Sequence, residues 1–100
     1  MTAQDGGAAE SQLTLASKLD LKGSEDLAKE LQGLRGRNLT VDASAIEHLG
    51  AHAVQTLCVA ARSWRSDGNA FSVANLSNAA ASQLATMGMD QTIFDAERTD

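Results

Sequence analysis

Proline and tyrosine are absent from these 100 residues, tryptophan and cysteine occur once each, and phenylalanine occurs twice. The single Cys58 has no partner for an internal disulfide, which suits a reducing compartment. With so few aromatics, a core must be assembled from Leu, Val, Ile and Met packed against Ala. No apolar run is long enough to span a membrane, and the first residues lack the basic-then-apolar order of a signal peptide. The chain therefore reads as cytoplasmic. Its net charge is −5, with basic residues scattered among acidic ones. That pattern argues against a nucleic-acid surface and leaves other proteins as the expected partners.

The parts needed for catalysis are also scarce. One Cys and two His, at positions 48 and 52, fall short of the ligand number that zinc or iron requires, so neither a metal site nor a cofactor is expected. There is no Gly-rich phosphate loop and no Gly-x-Ser-x-Gly elbow. Asp42 or Glu47 could pair with His48 or His52, but acid–base neighbours of this kind arise by chance in most loops. No activated nucleophile can be named, and the chain is not expected to be an enzyme.

What the chain does have is one well-patterned stretch, LTVDASAIEHLGAHAVQTLCVAARSWRSDG at 39–68. Leu39, Thr40 and Val41 suit a covered strand, and Asp42, Ala43 and Ser44 supply loop chemistry after it. Asp42 reads as a turn cap and Ser44 as a loop hydrogen bonder. A helix starts near Leu49 or Gly50 and carries Val54, Leu57, Cys58, Ala61 and Trp64 on one face. Cys58 reads as a small core residue and Trp64 as partly buried in the core in preference to an exposed partner anchor, while Arg62 and Arg65 fall on a solvated face. Gly68 ends the helix where a left-handed residue costs least.

The flanks extend this unit into one domain. Residues 1–10 and 95–100 read as tails, and the domain occupies 11–94. Leu13, Leu15, Leu19 and Leu21 follow an alternating pattern up to Gly23, which predicts a short strand. Gly23 or Ser24 begins a helix, with Glu25 and Asp26 favouring its positive end. Leu27, Ala28, Leu31 and Leu34 form its buried stripe. Residues 33–38 then lead to the strand at Leu39 and complete a β–α–β unit, which favours parallel strands. After Gly68, Phe71 and Val73 face the core from another strand. Asn75 or Ser77 caps a third helix with Ala80, Ala81, Leu84 and Met87 on its stripe, and Met89, Ile93 and Phe94 close the core edge. Oligomeric state stays open, because alanine-rich helix faces suit a dimer but alanine is also a good helix former.

Several strings resemble the STAS domain family, the domain of anti-sigma factor antagonists that also occurs in sulfate transporters. The similarity covers about 13–94. It rests on Lys18-Leu19-Asp20-Leu21, on Leu39-Thr40-Val41-Asp42-Ala43-Ser44 with the helix from Gly50, and on Gly88-Met89 with Ile93-Phe94. LGAHAVQTL at 49–57 and WRSDG at 64–68 are similar to short STAS proteins encoded among bacterial chemotaxis genes. The resemblance implies an α/β fold, a mixed sheet of four or five strands with helices mainly on one side, and a role in binding signalling proteins. Partner kinases phosphorylate the second serine of an Asp-Ser-Ser-Gly type string in regulated members. The matching positions here are Gly50, Ala51, His52 and Ala53, so His52 stands where the phosphoserine would be.

A phosphoserine at a helix N-terminus adds charge that the helix dipole stabilises and a docked partner must accommodate, and His52 cannot perform that chemistry. The expectation is a non-enzymatic interaction module of bacterial signal transduction, in chemotaxis or partner switching. Ser44, His48, Gly50, Ala51, His52 and Gln55 are its candidate partner-binding residues, and the partner is a kinase, an anti-sigma factor or a chemotaxis component. One alternative moves the phosphate to Ser44, Thr56 or His52 itself. Another makes the chain a STAS subunit of a lipid-transport complex.

Overall fold

The structure is a computed structural model that describes residues 10–94. Its elements run β1 (Glu10–Thr14), β2 (Lys18–Leu19), α1 (Leu21–Gln32), β3 (Asn38–Asp42), β4 (His48–Leu49), α2 (Ala51–Ser66), β5 (Phe71–Ala74) and α3 (Asn78–Thr86), closed by a 3-10 turn at Gln91–Phe94. The tails expected at 1–10 and 95–100 lie outside the described residues, except that Glu10 opens β1.

β3 is central in a three-stranded sheet of order β1-β3-β5, with Leu13 opposite Val41 and Val41 opposite Val73. The segments that supply β1 and β3 then pair a second time, as the short ladder β2-β4, with Leu19 opposite Leu49. Every pairing among the described residues is parallel. Among the described residues the five strands form a three-stranded and a two-stranded parallel ladder, in place of the single mixed sheet of four or five strands that the resemblance implies. The physical reason is that a helix separates each pair of neighbouring strands, and such a crossover returns the chain to the same end.

One face of the sheet is apolar and covered. Leu39, Val41, Phe71 and Val73 are buried against Leu57, Ala61 and Trp64 of α2, Leu27 and Leu31 of α1, and Phe94. Each large side chain buried in this way contributes about 1.5–3 kcal/mol. The alternate positions turn to the other face, where Gln12, Thr14 and Ser72 are exposed and the Thr40 and Ser72 hydroxyls stand 3.4 Å apart. The helices therefore lie mainly on one side. In α2 the stripe includes Ala53, Ala60 and Ala61, small enough for the helix backbone to come close to its neighbours.

Trp64 closes the far end of the core. It is 1% exposed, its ring centroid lies 5.6 Å from that of Phe71, and its indole N–H donates to the Arg37 carbonyl at 2.6 Å. Cys58 is half-buried with its thiol 3.9 Å from the Ile93 carbonyl, and burial pushes its pKa up, so it stays a protonated packing residue. Gly68 takes φ +80° just after α2. Ser77, rather than Asn75, caps α3 by accepting from Ala80 N–H at 3.0 Å, while Asn75 adopts φ +58°. Ala80 and Leu84 are buried on α3, Met87 is half-buried, and Ala81 is exposed.

The start of α1 is earlier than Gly23. Asp20 is its N-cap and accepts from Gly23 N–H at 2.9 Å, so Leu21 belongs to the helix instead of extending an alternating strand. Ser24 is buried and donates to the Asp20 carbonyl at 2.8 Å. Glu25 and Asp26 consequently lie beyond the first turn, which holds no acidic residue. The stripe of α1 consists of Leu27 and Leu31 with Leu34 half-buried beyond its end, while Ala28 is exposed.

Two stability predictions follow from this corner. Helix propensity alone would favour Gly23→Ala by about 1 kcal/mol. A Cβ at Gly23, however, would meet the Lys18 carbonyl oxygen at 2.7 Å, and that backbone atom cannot rotate away. Overpacking should win, with a net loss of about 1–3 kcal/mol. Gly33→Ala, whose Cβ would meet only ordinary contact at 3.6 Å, should instead be neutral or stabilising. Urea midpoints check both, and a more stable Gly23→Ala protein would refute the steric argument.

The second concerns acid. The Gly23 N–H holds the Asp20 carboxyl below the usual carboxylate range, helped by the charges of Lys18 and His48. Asp42 is lowered by the Ser44 N–H and hydroxyl, and Asp90 by the Thr92 hydroxyl and N–H. A folded-state pKa below the unfolded one contributes stability that is present above the unfolded value of about 3.9 and is lost as pH falls through the folded value. Asn caps a helix as well as Asp does but does not titrate. The Asp20→Asn protein should therefore lose less stability between pH 6 and pH 3 than the wild type, as read by urea unfolding at each pH.

Candidate functional site

α1 and α2 begin side by side because the strands that feed them are paired. The Gly50 N–H donates to the Leu19 carbonyl at 2.9 Å, one residue before α2 begins and two residues before α1 does. A Cβ at Gly50 would sit 3.0 Å from that same carbonyl oxygen, so only a glycine fits without displacing a backbone. At the other end, Arg35 donates to Asp67 through Nε at 2.9 Å and Nη2 at 2.8 Å, and its guanidinium lies 5.9 Å from the Trp64 ring centroid. Tied at both ends in this order, the two helices run parallel.

Between them lies a groove of about 390 Å³. Leu21, Ala28 and Leu31 line it from α1, and Val59, Ala60 and Trp64 line it from α2. Its polar rim includes Glu25, His52, Gln55 and Thr56. Leu21 is 56% exposed and Val59 54%, and these are the exposed large hydrophobics among the described residues. Isolated exposed apolar side chains are ordinary, but their convergence in one groove marks a surface suited to a partner. Sequence reasoning missed both. Val59 lies off the helical stripe that runs through Val54, Leu57, Cys58, Ala61 and Trp64, and that displacement is the signal that could have found it.

The structure brings only some of the sequence-predicted residues together here. His52 and Gln55 are exposed on the groove's rim, and Thr56 lines it with its hydroxyl donating to the His52 carbonyl at 2.9 Å. Gly50 and Ala51 form the start of α2, where no side chain caps the first N–H groups. His48 is exposed on β4 near Asp20, outside the groove. Ser44 is exposed on the turn after β3, and its N–H donates to Asp42 Oδ1 at 3.0 Å. It belongs to a separate corner with Asp42 and Asn75.

The placement of α2's start is reinforced from α3. Gln83 Oε1 accepts from Leu49 N–H at 2.6 Å while its Nε2 donates to the Glu47 carbonyl at 2.9 Å, so one side-chain amide serves β4 as a neighbouring strand would. Ser77 adds a hydroxyl bond to the Ile46 carbonyl at 2.7 Å. The loop before α2 is held in this way, and the helix start is presented on a fixed frame. Among the described residues, no group of three or more His, Cys, Asp or Glu side chains converges to hold a metal, and no helix is long and apolar enough to cross a membrane.

A comparison with the curated proteins finds no match. A family model described as "Mlab, STAS domain" matches residues 2–95, nearly the whole chain. The match spans both parallel ladders and all three helices, including the stretch in which Gly50, Ala51, His52 and Ala53 open α2. The chain belongs to the STAS domain family.

Proposed function

We propose that this STAS domain is a non-enzymatic docking module of bacterial signal transduction, whose partner covers the α1–α2 groove and the first turn of α2. The observation that carries the reading is that Leu21 and Val59, both more than half exposed, share one groove whose rim begins at His52. Because each is already nearly half covered, burying the rest against a partner contributes about 1–1.5 kcal/mol before the costs of association. With histidine at the position of the family's phosphoserine, docking proceeds without phosphorylation at that position. Asp42 beside Ser44 supplies a negative charge that opposes a phosphate there, which weighs against moving the switch to Ser44.

The partner class is a kinase, an anti-sigma factor or a chemotaxis component. The matched family description names Mlab and no chemotaxis protein, so the chemotaxis assignment rests on the strings at 49–57 and 64–68 alone. A STAS subunit of a lipid-transport complex would present the same groove to its partner subunit, and the identity of the captured protein separates the two.

The test is a pull-down from bacterial lysate with the whole chain as bait, in wild-type, His52→Glu and Val59→Glu forms. Circular dichroism verifies that each bait is folded. Mass spectrometry should find one protein enriched by the wild type and reduced about tenfold or more by each variant, since a hot-spot loss of about 1.4 kcal/mol or more is a factor of ten. Equal capture by all three folded baits would remove this surface from the argument.

A further inference from the structure

The two outer edges of the three-stranded sheet are finished differently. The Leu15 N–H donates to the Asp42 carbonyl at 3.0 Å, and the Leu39 and Ala43 N–H groups donate to the Ala70 and Ala74 carbonyls, each at 2.9 Å. Backbone direction alternates along a strand, so Ser11, Leu13 and Leu15 bond inward to β3, and the N–H and C=O groups of Glu10, Gln12 and Thr14 point away from it. On β5 the same alternation turns those of Phe71 and Val73 outward.

The β5 edge is closed. Gln91 Nε2 donates to the outward Val73 carbonyl at 2.6 Å, Phe94 of the same turn is 1% exposed, and Phe71 and Val73 are buried. The β1 edge has no such cover among the described residues. Leu13 shares a row with Val41 and Val73, yet it is half-buried where they are buried. A cleft of about 380 Å³ opens beside the end of the strand, lined by Leu15, Ala16, Lys22, Asp26 and Glu30 among others. A bare edge of this kind is a template for another strand.

This edge is complementary to itself. When two copies of β1 run antiparallel about a twofold axis at Gln12, Gln12 of one copy faces Gln12 of the other, and Glu10 faces Thr14. All three positions have outward backbone groups, so each facing pair exchanges both of its N–H to C=O bonds, and no like charges stand opposite one another. A shift of one residue would set outward groups against inward ones and lose the ladder. Head-to-tail association would need the β5 edge, which Gln91 and its turn occupy, so the assembly closes at two copies.

We propose that the chain self-associates through β1, as a closed dimer in which two three-stranded sheets join antiparallel across Gln12. One shared strand edge covers far less than the ~800 Å² per partner of a standard stable interface, so the dimer is transient and populated at high micromolar to millimolar concentration. No residue of β1 lines the α1–α2 groove, and the dimer and the docking reading stand or fall separately.

Analytical ultracentrifugation of the whole chain across that concentration range is the test, on the wild type and on Gln12→Pro, Gln12→Lys and Gln12→Glu, each verified as folded by circular dichroism. Proline at position 12 removes an N–H that β3 does not use, which an edge strand tolerates. It should weaken the dimer at least tenfold, because a bond from each copy is lost at the axis. Lysine or glutamate there sets like charges opposite each other and should weaken it about two- to fivefold. Mixing the lysine and glutamate proteins should restore association as a heterodimer, and this pair carries the test alone if the proline protein does not fold. In hydrogen exchange, the Gln12 and Thr14 amides should gain protection as concentration rises, while those of Phe71 and Val73 stay constant. A wild type that is monomeric throughout would overturn the proposal, as would a dimer indifferent to Gln12→Pro or lost instead with Val59→Glu. Protection of Gln12 and Thr14 that does not depend on concentration would overturn it too, since the edge would then be covered within one chain.

Discussion

A single backbone contact organises this domain. The Gly50 N–H reaches the Leu19 carbonyl at 2.9 Å, and a side chain at Gly50 would meet that oxygen at 3.0 Å. The contact forms because β2 and β4, each two residues long, are paired in parallel, and each leads straight into a helix. Two helices launched from adjacent strands in the same direction have to lie side by side. Gly23 repeats the requirement one turn into α1, with the Lys18 carbonyl in place of that of Leu19. Close packing at this corner thus depends on missing side chains, and the groove above it is a consequence.

The rest of the fold holds that corner still. Gln83 fills the hydrogen-bonding capacity of β4 from the α3 side, and Ser77 bonds Ile46 in the preceding loop. Trp64 fixes the distant end of α2 by burying its ring against Phe71 while its N–H satisfies the Arg37 carbonyl between α1 and β3. Arg35 then crosses from the end of α1 to Trp64 and Asp67. An exposed ion pair contributes little by itself, typically 0–1 kcal/mol. Its use here is geometric, because it keeps the two helix ends in register.

The sequence pattern made some of this legible. The strand at Leu39, the long helix from Gly50 and the inward-facing Phe71 and Val73 all follow from periodicity, and the spacing of Trp64 from Leu57 and Ala61 implies partial burial, which the structure makes complete. The start of α1 did not, because Leu13, Leu15, Leu19 and Leu21 continue one alternation across a strand, a break, a two-residue strand and a helix. Over so few residues a period of 2 and a period of 3.6 are hard to separate. The candidate site was half legible. His52 and Gln55 lie on the stretch that carries the family resemblance, whereas Leu21 and Ala28 come from a different helix and read as strand or core until the two helices are placed together.

The histidine at position 52 gains meaning from that placement. In a phospho-regulated relative the charge at the start of this helix comes and goes with a phosphate, and a partner's affinity changes with it. Here Gly50, Ala51, His52 and Ala53 supply neither a carboxylate nor a hydroxyl, and the first N–H groups of α2 have no side-chain cap. A helix end left in this state costs the domain some stability, since a capping side chain is typically worth about 1 kcal/mol. In the proposed docking mode Leu21 and Val59 supply the affinity, and positions 50–53 offer no hydroxyl on which a phosphate could act as the switch.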